Sequence, residues 1–325
     1  MRSAPSVPRT VILFTADLVV ELWRHHRTRR VRLIHSIATM NDASAPPTHC
    51  ANCGAPLADR YCGRCGQDSH TSLSFGHFTH ELVEGLFHVD SKFWRTLRTL
   101  LIRPGLLTQE YLGGKRNSYS PPFRSYLVIS IAYFIIASVF GAPGSRVLAS
   151  SGQELTPADC AQMAAHPGWF LQLVPDLQAS CERALSNNGR ALTAAMENLL
   201  PKVMFVVLPL VALVQFSIYR RQRPLYLENL VFVLHFQSFY YLASAGALLL
   251  AAGIGAFAGG RDSIGQGLEF AVYLWSFVYL FFAERRVYRA SALKIVLGLL
   301  AVTVSYMIFY SLGVAVAGMY AFIRA

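Results

Sequence analysis

Five stretches of this chain contain no Asp, Glu, Lys or Arg: residues 125–145, 203–219, 229–260, 270–283 and 295–323. A hydrocarbon core about 30 Å thick is crossed by about 20 apolar residues in an α-helix. Inside it no water can satisfy a backbone amide, so the segment must do so itself. The third and fifth stretches are long enough to cross with tilt, and the first is adequate. The second and fourth need residues 201–202 or 267–269 drawn into their ends. The pattern predicts an all-α integral membrane protein with five transmembrane helices, at about 126–142, 201–219, 230–252, 267–283 and 294–321. The connectors set an orientation. "YRRQRPLY" (219–226) and "ERRVYRASALK" (284–294) are Arg- and Lys-rich and belong on the cytoplasmic side, whereas "GGRDSIGQG" (259–267) and the long outer loop 143–200 are nearly neutral. The N-terminus then lies inside.

Ahead of the spans stands "THCANCGAPLADRYCGRCGQ", residues 48–67. Cys50, Cys53, Cys62 and Cys65 form C-x2-C-x8-C-x2-C, with Gly54 and Gly66 after each pair. Two residues between thiolates let both sulfurs of a tight turn reach one ion, and glycine relieves the bend. Two such knuckles complete a closed tetrahedral site of the structural kind, for one Zn2+. So short a segment cannot bury a core, and the metal supplies its folding energy. A redox dithiol or two local disulfides are the competing readings, which a reducing cytoplasm disfavours. Cys160 and Cys181 fall in the outer loop, as a disulfide or as two free thiols.

Residues 1–47 form a basic arm with a short apolar run, "VILFTADLVV", followed by "RHHRTRRVR". It reads either as a helix lying on anionic lipid or as a facultative arm, with translation starting at Met40 in place of Met1. The juxtamembrane part, 69–125, opens on "HFTHELVEGLFHVDSKFWRTLRTLLIRPG" (77–105). Phe78, Leu82, Leu86, Val89, Phe93, Leu97 and Leu100 share one helical stripe. His77, His80, Glu81, Glu84, His88, Lys92, Arg95 and Arg98 share the other, and Pro104–Gly105 ends the helix. The His/Glu face is a wetted surface or a second metal site. Beyond it, Gly113–Gly114 permits close backbone approach, and Lys115, Arg116 and Arg124 present cations for anionic headgroups or a partner, the alternative being an ordinary positive-inside anchor.

Knuckles ending "YCGRCGQ", then "TLRTLL", Pro104–Gly105, "EYLGGKR", Tyr119 and Pro121 running into the first span resemble an uncharacterised bacterial zinc-ribbon membrane family. "ENLVFVLHFQSF" (228–239) extends that likeness, so it covers about residues 48–245. The resemblance implies a multi-pass protein of the bacterial inner membrane and supplies no activity or substrate. By architecture alone the chain is also similar to the five-span Yip family.

Ionisable groups within spans are expensive and mark function. Here they are His235, near Gln237, and Glu269. Pro209 is expected to kink the second span. Ala251, Gly255 and Gly259, and likewise Ser311 and Ala315, offer small ridges for helix contact. Three functions follow in order of support. The first is an interaction or assembly module presenting a cytosolic zinc tetrathiolate to a protein partner, with oligomerisation compatible. The second is a transporter or channel using the kinked span and His235/Gln237. The third is an enzyme, against which no His-Glu-x-x-His, Gly-x-Ser-x-Gly, Walker or dinucleotide motif is present. Nucleic-acid binding is disfavoured, because the ribbon has no base-reading helix of its own.

Overall fold

The computed structural model describes residues 47–69, 91–140, 157–165, 176–185, 190–258 and 261–324. The N-terminal arm, the His/Glu half of the amphipathic stripe (77–90) and Gly259 lie outside them. The described elements are helices: α1 (Ser91–Ile102), α2 (Leu106–Leu112), α3 (Pro122–Phe140), α4 (Pro157–Ala165), α5 (Leu177–Leu185), α6 (Arg190–Tyr219), α7 (Tyr226–Ala258), α8 (Arg261–Tyr288) and α9 (Ala292–Arg324). Among the described residues there is no strand, only two isolated bridges within the cysteine segment.

Among the described residues five helices are long and apolar enough to cross a membrane: Pro122–Phe140, Asn198–Tyr219, Tyr226–Ala256, Ile264–Tyr288 and Ala292–Ile323. The chain is a multi-pass membrane-helix protein, as its uncharged runs predict. α7 stands at the centre, packed against α3, α8 and α6, and α9 packs chiefly on α6 and also touches α8. Centrality shows in burial. Leu230, Val231, Phe232, Val233 and Leu234 are all buried, so α7 is covered on every side here. By contrast α9 exposes Val296, Leu297, Leu300, Val304, Ile308, Leu312 and Val316. A continuous apolar face of that kind requires a nonaqueous neighbour.

Aromatic rings fill the seams. Tyr133 stacks on Tyr241 at 4.7 Å between α3 and α7, and Phe239 stacks on Tyr279 at 3.6 Å between α7 and α8. Close backbone approach comes from glycines that the small-ridge pattern did not single out. A Cβ on Gly298 would meet the Tyr219 hydroxyl at 2.3 Å, and one on Gly313 would meet Val203 at 2.5 Å, which is why α6 and α9 lie so near. Ser311 and Ala315 instead face outward. Ala251 does serve a contact, opposite Gly265 of α8.

Helices α1 and α2 close the end of the bundle that carries the α6–α7 and α8–α9 connectors, packing on α7 and α8. Phe93 and Leu100 point in and Arg95 and Arg98 out, as the helical period requires. The chain breaks at Pro104 and restarts at Leu106 because Gly105 adopts φ 70 at the cap of α2. That residue also touches α8: a Cβ there would meet the Ala283 carbonyl oxygen at 2.7 Å. The Tyr279 hydroxyl donates to the Leu100 carbonyl at 2.8 Å, and the Arg286 guanidinium donates to that of Pro104. At the opposite end α4 and α5 pair, and α5 rests on α6 and α9. Cys160 and Cys181 are joined there by a disulfide, with Cα atoms 5.6 Å apart.

Gly105→Ala forces both a left-handed alanine and a backbone clash. It is expected to destabilise the purified chain by about 1–3 kcal/mol. Gly246→Ala, in mid-α7 with open space around its Cβ, should be neutral or slightly stabilising. Thermal melts of the two variants in detergent make the comparison.

Candidate metal centre and its seat on the membrane domain

The cysteine segment is one hairpin built twice, twelve residues apart. In the first copy the Cys50 N–H donates to Ala55, Gly54 to Cys50 and Leu57 to Thr48, at 2.8, 2.8 and 2.9 Å. In the second, Cys62 donates to Gln67, Gly66 to Cys62 and Ser69 to Arg60, at 2.9, 2.7 and 2.8 Å. The repeat works because each knuckle turns through a left-handed glycine, Gly54 at φ 73 and Gly66 at φ 74. An L side chain there is strained.

The hairpins face each other through their sulfurs. Cys50 lies 3.6 Å from Cys65, Cys53 lies 3.6 Å from Cys62, and all four Sγ atoms fall within 4.8 Å of one another. Tetrahedral ligands at about 2.3 Å from an ion stand about 3.8 Å apart, so the donor set fits one four-coordinate, thiophilic metal. The electrostatics are uneven. Burial raises the Cys65 thiol, but the Gln67 backbone amide, the Asn52 carboxamide and the neighbouring thiols outweigh it and bring it down to about 6. The Cys65 and Arg64 amides likewise lower Cys62, against burial. At Cys53 the Ala55 amide lowers the thiol, yet burial and the three other sulfurs together push it up to about 11. The two knuckles thus differ, Cys62 and Cys65 being lowered and Cys53 raised, and ion binding draws any remaining proton from its ligands.

The module is seated on residues 114–118. Gln67 is buried and donates to the Gly114 carbonyl at 2.7 Å while its oxygen accepts from the Asn117 amide at 3.1 Å. The Asn117 carboxamide donates to the Cys65 carbonyl. Ser118 Oγ donates to Asn52 Oδ1 at 2.7 Å. Lys92 of α1 holds Asn117 from behind at 2.6 Å. Gly114 sits at φ 92, where a Cβ would meet that of Ala51 at 2.9 Å. The Gly113–Gly114 pair thus admits the ribbon itself, a contact that sequence reasoning missed. Its only signals were Gln67 after the second knuckle and the polar run following the glycines.

The expected headgroup cations take part in this seat. Lys115 pairs with Glu110 at 2.9 Å, and Arg116 stacks over Tyr111 at 5.5 Å. Arg124 is half-buried in the first turn of α3. Burial raises Glu110, but the Tyr119 hydroxyl and Lys115 outweigh it and hold its carboxyl below the ordinary range. Its stabilisation is complete above the usual carboxylate pKa of about 4.3 and is lost as the pH falls through the lowered value.

His235 and Gln237 do not form one site. His235 Nδ1 meets Thr108 Oγ1 of α2 at 2.9 Å, with the Tyr111 ring edge-on at 6.2 Å. Gln237 points instead toward the Tyr241 and Tyr306 hydroxyls, since residues two apart on a helix diverge. His235 thus ties α2 to α7. A second buried polar cluster, Gln215, Tyr219, Asn229, Glu284 and Tyr288, joins α6, α7 and α8. Sequence reasoning placed Glu284 outside the fourth span because Arg285 and Arg286 follow it. α8 runs on to Tyr288, turning both arginines outward and Glu284 in.

These features define a class: a multi-pass membrane-helix protein with a four-cysteine cluster, able to hold a metal ion, seated on its membrane domain. Residues 90–134 match the family described as Protein of unknown function (DUF3667). The match spans α1, α2, the ribbon seat and most of α3. No curated protein and no solved structure matches the chain, so the Yip likeness rests on architecture alone.

Gln67→Ala removes two hydrogen bonds to the seat and no metal ligand. Hydrogen exchange should rise at least tenfold at the Asn117 amide while the metal content stays that of the parent. Chelation should raise the same exchange and open all four thiols to maleimide.

Proposed function

We propose that this is a cytosol-facing zinc-ribbon module carried on, and rigidly docked to, a five-helix anchor of the bacterial inner membrane, acting as an interaction or assembly platform. The ion is Zn2+ and structural: four thiolates close the coordination sphere and leave no position for substrate. The Arg-rich connectors lie at the same end as the ribbon, which supports a cytoplasmic placement of both. With α4, α5 and the Cys160–Cys181 bridge at the other end, that end would face an oxidising compartment.

One observation carries the functional reading. The ribbon spends Gln67, Asn52 and the Cys65 carbonyl on its seat, yet leaves a different face open. Tyr61 is 57% exposed, Arg60 lies over its ring at 5.4 Å while pairing with Asp68 at 2.9 Å, and Arg64, three residues on, is exposed. An aromatic residue flanked by guanidinium groups on a preorganised surface is a common anchor for a protein partner. The exposed apolar belt and the basic end of the bundle suit anionic bilayers. Binding, rather than catalysis, accounts for this distribution of groups.

Protein purified natively should hold one zinc per chain by elemental analysis, and the Cys62→Ser variant none. A photo-crosslinker at position 58 should trap a discrete cytosolic partner. That adduct should fall at least tenfold in the Tyr61→Ala/Arg64→Glu double variant, which keeps its zinc. Adducts that persist unchanged in that variant would defeat the proposal.

A further inference from the structure

Glu284 has no exposed surface, and both groups that hold it are neutral. The Gln215 carboxamide donates to Oε1 at 3.0 Å and the Tyr219 hydroxyl to Oε2 at 2.8 Å. Among the described residues it has no ion-pair partner. The surrounding cations are committed elsewhere. Arg223, on the α6–α7 connector, reaches Glu228 at 3.4 Å and the Val287 carbonyl at 3.4 Å. Lys294 of α9 donates to Gln222 at 3.1 Å and lies on the Tyr219 ring, 5.4 Å from its centre. Arg285 and Arg286 are exposed, and Arg286 serves the Pro104 carbonyl. From α7 come Glu228, which faces Arg223, and Asn229, which accepts from the Tyr288 hydroxyl at 3.0 Å; Tyr288 in turn stacks on Tyr219 at 4.0 Å.

A buried carboxylate with no cation against it is strongly disfavoured, and in a membrane such a group marks a site by default. An independent sign lies next to it. Gln215 is fully buried, and among the described residues its Oε1 makes no hydrogen bond, although the Tyr288 hydroxyl also comes near its carboxamide. A buried acceptor left without a donor costs about 1–3 kcal/mol. The hydrogen it lacks is the one a neutral carboxyl carries: with Glu284 as the acid, carboxyl and carboxamide form a mutually satisfied pair. We propose that Glu284 is a proton-binding site, held as a neutral carboxyl–carboxamide pair with Gln215 and reached from the connector end of the bundle through the Tyr219 hydroxyl.

The access follows from Gly298. That residue and Lys294 line an open groove of about 320 Å³ with Ile218, Leu293 and Leu297. Because Gly298 has no side chain, the Tyr219 hydroxyl fits against it. Fully buried itself, it stands between Gly298, one residue of the groove wall, and Glu284 Oε2. In the transfer, Tyr219 gives its hydrogen to Oε2 and receives one at the same oxygen from a hydronium ion, which leaves as water. The tyrosine is regenerated, the carboxylate gains one proton, and no redox partner is needed.

Infrared spectroscopy of the full chain in liposomes at pH 7 tests this. The wild-type minus Glu284→Gln difference should contain one protonated-carboxyl C=O stretch that shifts down in D2O. Subtraction removes the contribution of Glu269. In Tyr219→Phe the band should remain and its deuterium shift should slow at least tenfold. Should Glu284→Gln not assemble, Glu284→Asp must move the band's frequency. The absence of an acid C=O difference would mean an ionised carboxylate balanced by Lys294 and would overturn the proposal. So would exchange that Tyr219→Phe leaves unchanged, by removing the assigned route.

Discussion

Hydrocarbon offers a peptide amide no partner, and the architecture descends from that. Each uncharged run closes its own hydrogen bonds as a helix, and the helices then compete for the few positions that allow close approach. α7 takes the centre because its apolar residues run all the way round. α6 and α9 meet where glycine replaces a side chain, at Gly298 and Gly313. Several polar groups that enter the bundle pair at one end, where His235 meets Thr108 and Glu284 meets Gln215 and Tyr219.

That end is also where the soluble part attaches. The connection is continuous and short: the cysteine hairpins bond residues 114–118, Glu110 and Tyr111 of α2 hold Lys115 and Arg116, and α2 is bound to α7 through His235 and to α8 at Gly105. A module too small to bury a core thus gains a source of order beyond any ion its four cysteines could hold. The membrane domain gains a neighbour whose shape depends on four sulfurs staying together. The cysteine cluster and the packing of the bundle's end are physically linked, by mutual hydrogen bonds rather than by a flexible tether.

Much of this was legible beforehand, and the reason is periodicity. Uncharged runs, paired cysteines and a stripe at Phe93, Leu97 and Leu100 are local patterns whose physics acts over a few residues. The misses share the opposite property. Gly113–Gly114 reads as allowing close approach to a surface, and nothing local says that Ala51 is what it approaches. Lys115 and Arg116 read as cations for headgroups or a partner, and nothing local says that Glu110 and Tyr111, one turn back on α2, come round to meet them. His235 and Gln237 looked like one site from adjacency in the chain, and the 3.6-residue turn separates them.

By itself the sequence determined the helical class, the number of spans and the four-thiolate ligand set. Each follows from solvation of a single segment or from the reach of a two-residue turn. Only the tertiary structure decided where the ribbon sits, which glycines carry the contacts and that Glu284 faces inward with Gln215 and Tyr219. Those outcomes depend on which helix faces meet, 47 residues apart for Gln67 and Gly114 and 69 for Gln215 and Glu284. Separations of that length leave no mark in a local pattern, because the energy that selects them exists only once both surfaces are formed.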